Sequence, residues 1–151
     1  NNSIKYLKKL LFPLCDLLTP NIPEAEILTG YSISNKEDMI KAAKKILNMG
    51  AKNVLLKGGH LKNKMIFDIL VTKKTVKIFK KKKIKTRNTH GTGCTLSAAL
   101  ATYLSQKKNM FESSRMSLRY VHKAIASAPG YGSGFGPLNH LISINLKNTN
   151  A

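Results

Sequence analysis

Apolar positions recur at helical spacing through Ile4, Leu7, Leu10 and Leu11 and stop at Pro13, which predicts the tail of an amphipathic helix. A short apolar strand is expected over about Cys15 to Leu18. It breaks into Thr19-Pro20-Asn21-Ile22-Pro23-Glu24, where Pro23 suits the first position of a short helix carrying Ala25, Ile27 and Leu28. Ser34-Asn35-Lys36-Glu37 has capping-box spacing. Met39, Ile40, Ala43, Ile46 and Leu47 then mark the buried face of a helix ending near Gly50. Asn53 to Lys57, around Val54-Leu55-Leu56, reads as a buried strand. Met65 to Thr72 and Thr75 to Phe79 read as a hairpin about Lys73-Lys74, with a further strand at about Ile84 to Thr86. Three strands without intervening helices make an antiparallel excursion from an otherwise alternating α/β chain.

The helix after Gly93 is expected to bury Leu96, Ala99, Leu100, Tyr103 and Leu104. A last helix, over about Phe111 to Ser127, places Leu118, Val121, His122 and Ile125 on one face. Gly130-Tyr131-Gly132-Ser133-Gly134-Phe135-Gly136-Pro137-Leu138 follows no clear strand, so it does not read as a dinucleotide fingerprint. It reads as a mobile or closely packed loop, with a short C-terminal segment fraying after Leu146.

Composition changes this picture little. The 151 residues suffice for one domain with a core, and the chain opens at Asn1 inside a helical pattern, which reads as an internal or processed segment. The net charge of +19 points first to nucleic acid or an anionic membrane. Arginine occurs only at Arg87, Arg115 and Arg119, however, and phosphate or base recognition favours the arginine fork. The excess is lysine, read as solvated surface and not as a dedicated nucleic-acid face. Its densest run, Lys80-Lys81-Lys82-Lys83, is expected at a hairpin tip. Cys15 and Cys94 are too few for a disulfide framework, and no run reaches the length of a membrane span. The apolar stretch from Lys8 to Leu18 is interrupted by Asp16 and followed by no small-residue cleavage site, so the expectation is a cytoplasmic protein with no membrane partner.

Candidate chemistry centres on Thr89-His90-Gly91-Thr92-Gly93-Cys94-Thr95-Leu96, a glycine-punctuated turn leading into an apolar helix. Glycines let a backbone approach a ligand closely, and the first N–H groups of a helix lack intrahelical partners, so such a turn favours phosphate. Cys94, in the first turn, sits in the same field and is a candidate proton acceptor or nucleophile. The alternative is an ordinary loop-to-helix junction with a small buried cysteine. Asn21 and Glu24 fall near the carboxyl end of a strand, where ligands bind in open α/β sheets, or else they form a helix cap. Lys57, before Gly58-Gly59-His60, could meet phosphate oxygens as a flexible point charge or be a solvated turn residue. His60 reads as loop surface, and His122 as a core histidine as readily as a functional one.

Asn21-Ile22-Pro23-Glu24, Leu55-Leu56-Lys57-Gly58-Gly59-His60 and Thr89 through Ala99 together, with the glycine-rich Gly130 to Leu138, resemble hydroxymethylpyrimidine/phosphomethylpyrimidine kinases, the thiamine-pathway branch of the ribokinase-like superfamily. The match runs from about Leu17 to Leu141. The resemblance implies an α/β/α sandwich enzyme that transfers the γ-phosphoryl group of ATP to 4-amino-5-hydroxymethyl-2-methylpyrimidine and then to its monophosphate. It implies that Asn21 and Glu24 help hold Mg²⁺, often through water. Lys57 would approach the ATP phosphates, Gly91, Thr92 and Gly93 would form the anion hole, and Cys94 would be the catalytic base. Most of the superfamily carries aspartate where this branch has cysteine. Family members are longer at the N-terminus, so the chain is expected to be the C-terminal, ATP-side portion of a single kinase domain. The complete enzyme is a candidate homodimer. A pyridoxine or hydroxyethylthiazole kinase sharing the Gly-Thr-Gly-Cys turn, and a truncated inactive relative acting as a basic binding protein, stay open as alternatives.

Overall fold

The computed structural model describes residues 2–61 and 64–142, in two compact units, Asn1–Lys83 and Ile84–Ala151. The first unit opens with helix α1 (Asn2–Tyr6). It continues as a π-helical turn over Leu7–Leu11 and a 3₁₀ turn over Phe12–Leu14. The helical pattern thus runs past Pro13 by changing its winding, as a ring without an N–H requires. Phe12 is buried, whereas Leu7, Leu10, Leu11 and Leu14 are exposed. No strand forms over Cys15–Leu18. Instead Leu18 makes one parallel bridge to Val54 and Asn21 another to Lys57. Pro20, between the two bridges, has no N–H to donate and denies the segment a continuous ladder.

Helix α2 (Ile22–Thr29) begins at Asn21, so Pro23 occupies the second helical position and not the first. Helix α3 (Lys36–Asn48) is capped one residue later than the sequence suggests. Asn35 Oδ1 accepts the Asp38 N–H at 2.8 Å, while Asp38 reaches back to the Ser34 N–H and hydroxyl. Asparagine's amide oxygen accepts as well as serine's hydroxyl, and Asp38 then does the reciprocal work expected of Glu37. Met39, Ala42, Ala43 and Ile46 form the buried face.

Strands β1 (Asn53–Leu56), β2 (Met65–Thr72) and β3 (Val76–Lys82) form an antiparallel sheet in the order β1-β2-β3. Val54, Leu56, Ile69 and Val71 lie on one face and join Met39, Ile46 and Ile22 in the core. Full burial of such side chains stabilises by about 1.5–3 kcal/mol each. The register, with Leu56 opposite Ile69 and Asp68 opposite Phe79, follows from keeping that apolar set on one face. Two expectations fail here. Lys80, Lys81 and Lys82 are strand residues of β3, paired with Phe67, Ile66 and Met65, and the hairpin tip is at Lys73-Lys74. The run is long enough to continue the ladder, and lysines on an edge strand discourage pairing with other chains. Ile84–Thr86 forms no strand.

The second unit contains helices α4 (Thr92–Ser105) and α5 (Met110–Ala126), packed against each other. Leu96, Leu100 and Tyr103 of α4 and Leu118, Val121 and Ala124 of α5 are buried. The segment after Leu146 lies outside the described residues. No described helix is long and apolar enough to cross a membrane.

Candidate active site

In the first unit the structure brings Asn21, Glu24 and Lys57 together. Asn21 and Glu24 form a complete capping box: Asn21 Oδ1 accepts the Glu24 N–H at 2.9 Å, and Glu24 Oε2 accepts the Asn21 N–H at 2.7 Å. The bridge between Asn21 and Lys57, with the Lys57 N–H donating to the Pro20 carbonyl at 2.9 Å, sets this cap beside the carboxyl end of β1. The cap reading is thus borne out, and the capped pair lies beside the end of a strand. Asn21 and Glu24 offer oxygen donors only, of which the exposed Glu24 carboxylate keeps acceptor capacity beyond its cap bond. That fits Mg²⁺, which takes oxygen ligands and keeps several waters. Among the described residues no three His, Cys, Asp or Glu side chains cluster as a full protein cage for a metal ion. Lys57 is half-buried, and the following Gly58 is fully packed: a Cβ there would overlap the Phe67 carbonyl oxygen. His60 is exposed, as expected.

In the second unit Gly91, Thr92, Gly93 and Cys94 form the start of α4. Helices α2, α3 and α5 are each capped by an asparagine side chain, Asn21, Asn35 and Asn109. Helix α4 has no side-chain cap. Its N-cap is Gly91 at φ +81°, a left-handed conformation that favours glycine. The Thr92 hydroxyl turns away to the Thr89 carbonyl at 2.7 Å, and Thr95 closes on the Gly91 carbonyl through its N–H and its hydroxyl. Among the described residues neither the Gly93 nor the Cys94 N–H has an acceptor. The Cys94 thiol beside them is exposed, which removes the reading of a small buried cysteine. The arrangement can receive an anion on free N–H groups next to a thiol.

Cys94 also borders a cavity of about 700 Å³ lined by Thr95, Ala98, Tyr103, Tyr120 and His140. Burial, and secondarily the neighbouring Tyr120, hold the Tyr103 phenol above its ordinary pKa, so it is a neutral donor near pH 7.

Two features were not singled out from the sequence. Arg87 donates to the Ser133 carbonyl at 2.9 Å and the His90 N–H to the Gly136 carbonyl at 3.2 Å. The glycine-rich loop is thereby strapped to the segment that leads into Gly91. The second is Asp68, a buried carboxylate that accepts the Gly58 N–H. An aspartate inside an otherwise apolar strand, Met65-Ile66-Phe67-Asp68-Ile69-Leu70, was the available signal.

Known proteins share this chain's sequence and backbone. A thiamine biosynthesis bifunctional protein of Geobacter sulfurreducens is 47% identical over 141 residues, covering 93% of this chain and 29% of that one. A hydroxymethylpyrimidine/phosphomethylpyrimidine kinase of Staphylococcus aureus is 39% identical over 142 residues, covering 93% of this chain and 51% of that one. The chain therefore spans about half the length, or less, of these relatives. Bacillus subtilis pyridoxal kinase, solved as an ADP complex, superposes with a TM-score of 0.87 at 33% identity, over 92% of this chain and 53% of that one. The ribokinase-like α/β fold expected from the motifs is the fold shared with these kinases. Residues 1–139 match the phosphomethylpyrimidine kinase family, and the chain belongs to that family.

Proposed function

We propose that this chain is the ATP-side portion of a single kinase domain that phosphorylates 4-amino-5-hydroxymethyl-2-methylpyrimidine and then its monophosphate, for thiamine biosynthesis. The observation that carries the reading is the start of α4. Among the described residues, two backbone N–H groups without acceptors lie beside an exposed thiol, in a family of kinases, while α2, α3 and α5 have asparagine caps.

In this reading the Gly91-Thr92-Gly93 turn is the anion hole. It compensates charge on the transferring phosphoryl group with N–H groups that are already in place. Cys94 accepts the proton of the attacking hydroxymethyl group, so the new O–P bond forms as the bond to the ADP oxygen breaks. Lys57 holds the nucleotide phosphates as a point charge. Asn21 and Glu24 are the residues that would help hold Mg²⁺, in part through water. Bound there, the ion supplies charge neutralisation to the phosphate oxygens.

Replacement of the base tests the reading in the full-length protein. Cys94→Ala is expected to lower kcat by about 10²–10⁴ while ATP affinity stays within about threefold, because the N–H groups are retained. Full turnover of that variant removes Cys94 as the base. The backbone likeness to pyridoxal kinase favours one competing substrate. Side-by-side kcat/KM for the pyrimidine alcohol and pyridoxal decides between them, and a preference for pyridoxal overturns the substrate assignment.

A further inference from the structure

The Lys57-Gly58 turn is held on three sides. The Lys57 N–H donates to the Pro20 carbonyl at 2.9 Å, the Leu61 N–H donates to the Gly58 carbonyl at 3.2 Å, and the Gly58 N–H donates to Asp68 Oδ1 at 3.0 Å. The third contact is unusual for a sheet. The ladder between β1 and β2 ends at Leu56 opposite Ile69, and a carboxylate from β2 takes the N–H that the backbone ladder no longer serves. Asp68 is 2% exposed, a depth at which a carboxylate needs partners for both oxygens. Its Oδ2 accepts from Lys81 Nζ at 2.6 Å. Lys81 stands two residues beyond Phe79, the partner of Asp68 on β3, so the pair meets diagonally on one sheet face.

Stability alone does not account for this pair. Buried ion pairs can be exchanged for apolar residues of similar volume with little loss, and the strand is otherwise apolar. What an apolar residue cannot do is accept the Gly58 N–H. Gly58 in turn sits so close to Phe67 that a Cβ there would overlap its carbonyl oxygen.

We propose that Asp68 is a positioning residue for phosphoryl transfer: its carboxylate, neutralised by Lys81, fixes the Gly58 N–H and thereby sets the direction in which Lys57 leaves the end of β1. Asp68 touches no substrate and acts through Gly58. The proposal rests on the reading of Lys57 as the phosphate-binding lysine.

The test uses three variants of the full-length protein, with kcat, KM for ATP and KM for the pyrimidine alcohol measured separately. Asp68→Leu combined with Lys81→Met removes the acceptor but leaves no unpaired buried charge. It is expected to fold and to raise KM for ATP about tenfold, with KM for the alcohol within about twofold. Asp68→Asn combined with Lys81→Met keeps an acceptor oxygen for Gly58 without leaving Lys81 unpaired and is expected to hold KM for ATP within about threefold of the parent. A purely structural role would lower the active fraction and leave both KM values alone. An unchanged KM for ATP in Asp68→Leu with Lys81→Met overturns the proposal, and so does an Asp68→Asn with Lys81→Met that is as impaired. Should Asp68→Leu with Lys81→Met not fold, Asp68→Ser combined with Lys81→Met, whose serine hydroxyl is too short to reach Gly58, takes its place with the same expectation. Lys57→Met separates the two layers. If it leaves KM for ATP and kcat unchanged, the phosphate role of Lys57 falls. If it impairs them while the Asp68 variants do not, only the assignment of Asp68 falls.

Discussion

Glu24 is the reciprocal arm of a helix cap and, in the proposed function, a carboxylate for Mg²⁺, and Glu24→Gln separates the two. The glutamine amide keeps an oxygen to accept the Asn21 N–H, now bonded at 2.7 Å to Oε2, so the capping box survives. Only the negative charge at the N-terminus of α2 is lost, which costs about 0.3–1 kcal/mol at an exposed position. Glu24→Ala loses the bond as well, and the cost rises to about 1–2 kcal/mol. Helix α2 has eight residues, too few to persist without tertiary support, so its cap contributes measurably. For a protein of this size 1 kcal/mol corresponds to a Tm shift of about 2–4 °C. Thermal unfolding therefore ranks the parent above Glu24→Gln and Glu24→Ala within a few degrees. Turnover titrated with Mg²⁺ gives a different ranking. Loss of the carboxylate is expected to raise the half-saturating Mg²⁺ about ten- to hundredfold in both variants, although Glu24→Gln is nearly as stable as the parent. A Glu24→Gln enzyme with the parental Mg²⁺ dependence would refute the ligand role and leave Glu24 as a cap alone.

Two further outcomes follow from the geometry. Gly58→Ala places a Cβ on the Phe67 carbonyl oxygen and 3.0 Å from Met39 Cε. Backbone cannot yield as a side-chain tip does, so a loss of about 1–3 kcal/mol or more is expected in urea unfolding, and a change below about 0.5 kcal/mol would mean that the turn relaxes freely. The Asp38 carboxyl is held below its ordinary value of 3.8, first by the Ser34 hydroxyl and then by the Ser34 N–H. The unfolded chain then binds that proton more readily than the folded one. The contribution is present above the unfolded value and is lost as pH falls below about 4 through the folded value. Ser34→Ala is expected to return the Asp38 titration toward 3.8 by NMR and to shrink the acid-dependent part of the stability difference, and an unchanged Asp38 titration would contradict the assigned cause.

Most of the local structure was legible because it depends on neighbours in the chain. Apolar spacing predicts α3, α4, α5 and β1, and the Asn21 to Glu24 interval admits the cap that two hydrogen bonds complete. The errors were also local. Ser34 and Asn35 both make good N-caps, and spacing alone does not choose between them, whereas Asp38 chooses by reaching Ser34. Lys80-Lys81-Lys82 resembles a solvated turn by composition, yet β3 extends through it because Met65, Ile66 and Phe67 on β2 offer partners. Cys15–Leu18 looks like a strand by hydrophobicity, but prolines follow and only single bridges form.

The sequence by itself determined the motif order Asn21–Glu24, Lys57–Gly58 and Gly91–Cys94, the helix faces and the family, since each rests on residue identity at short spacing. Tertiary structure decided that the start of α4 lacks the side-chain cap that α2, α3 and α5 have, that Cys94 is exposed, and that the Gly58 N–H finds Asp68. The last contact joins residues ten apart, one in the turn after β1 and the other on β2. It exists only in the register that buries Val54, Leu56, Ile69 and Val71 together, and register is a property of packing, which no short stretch of sequence contains.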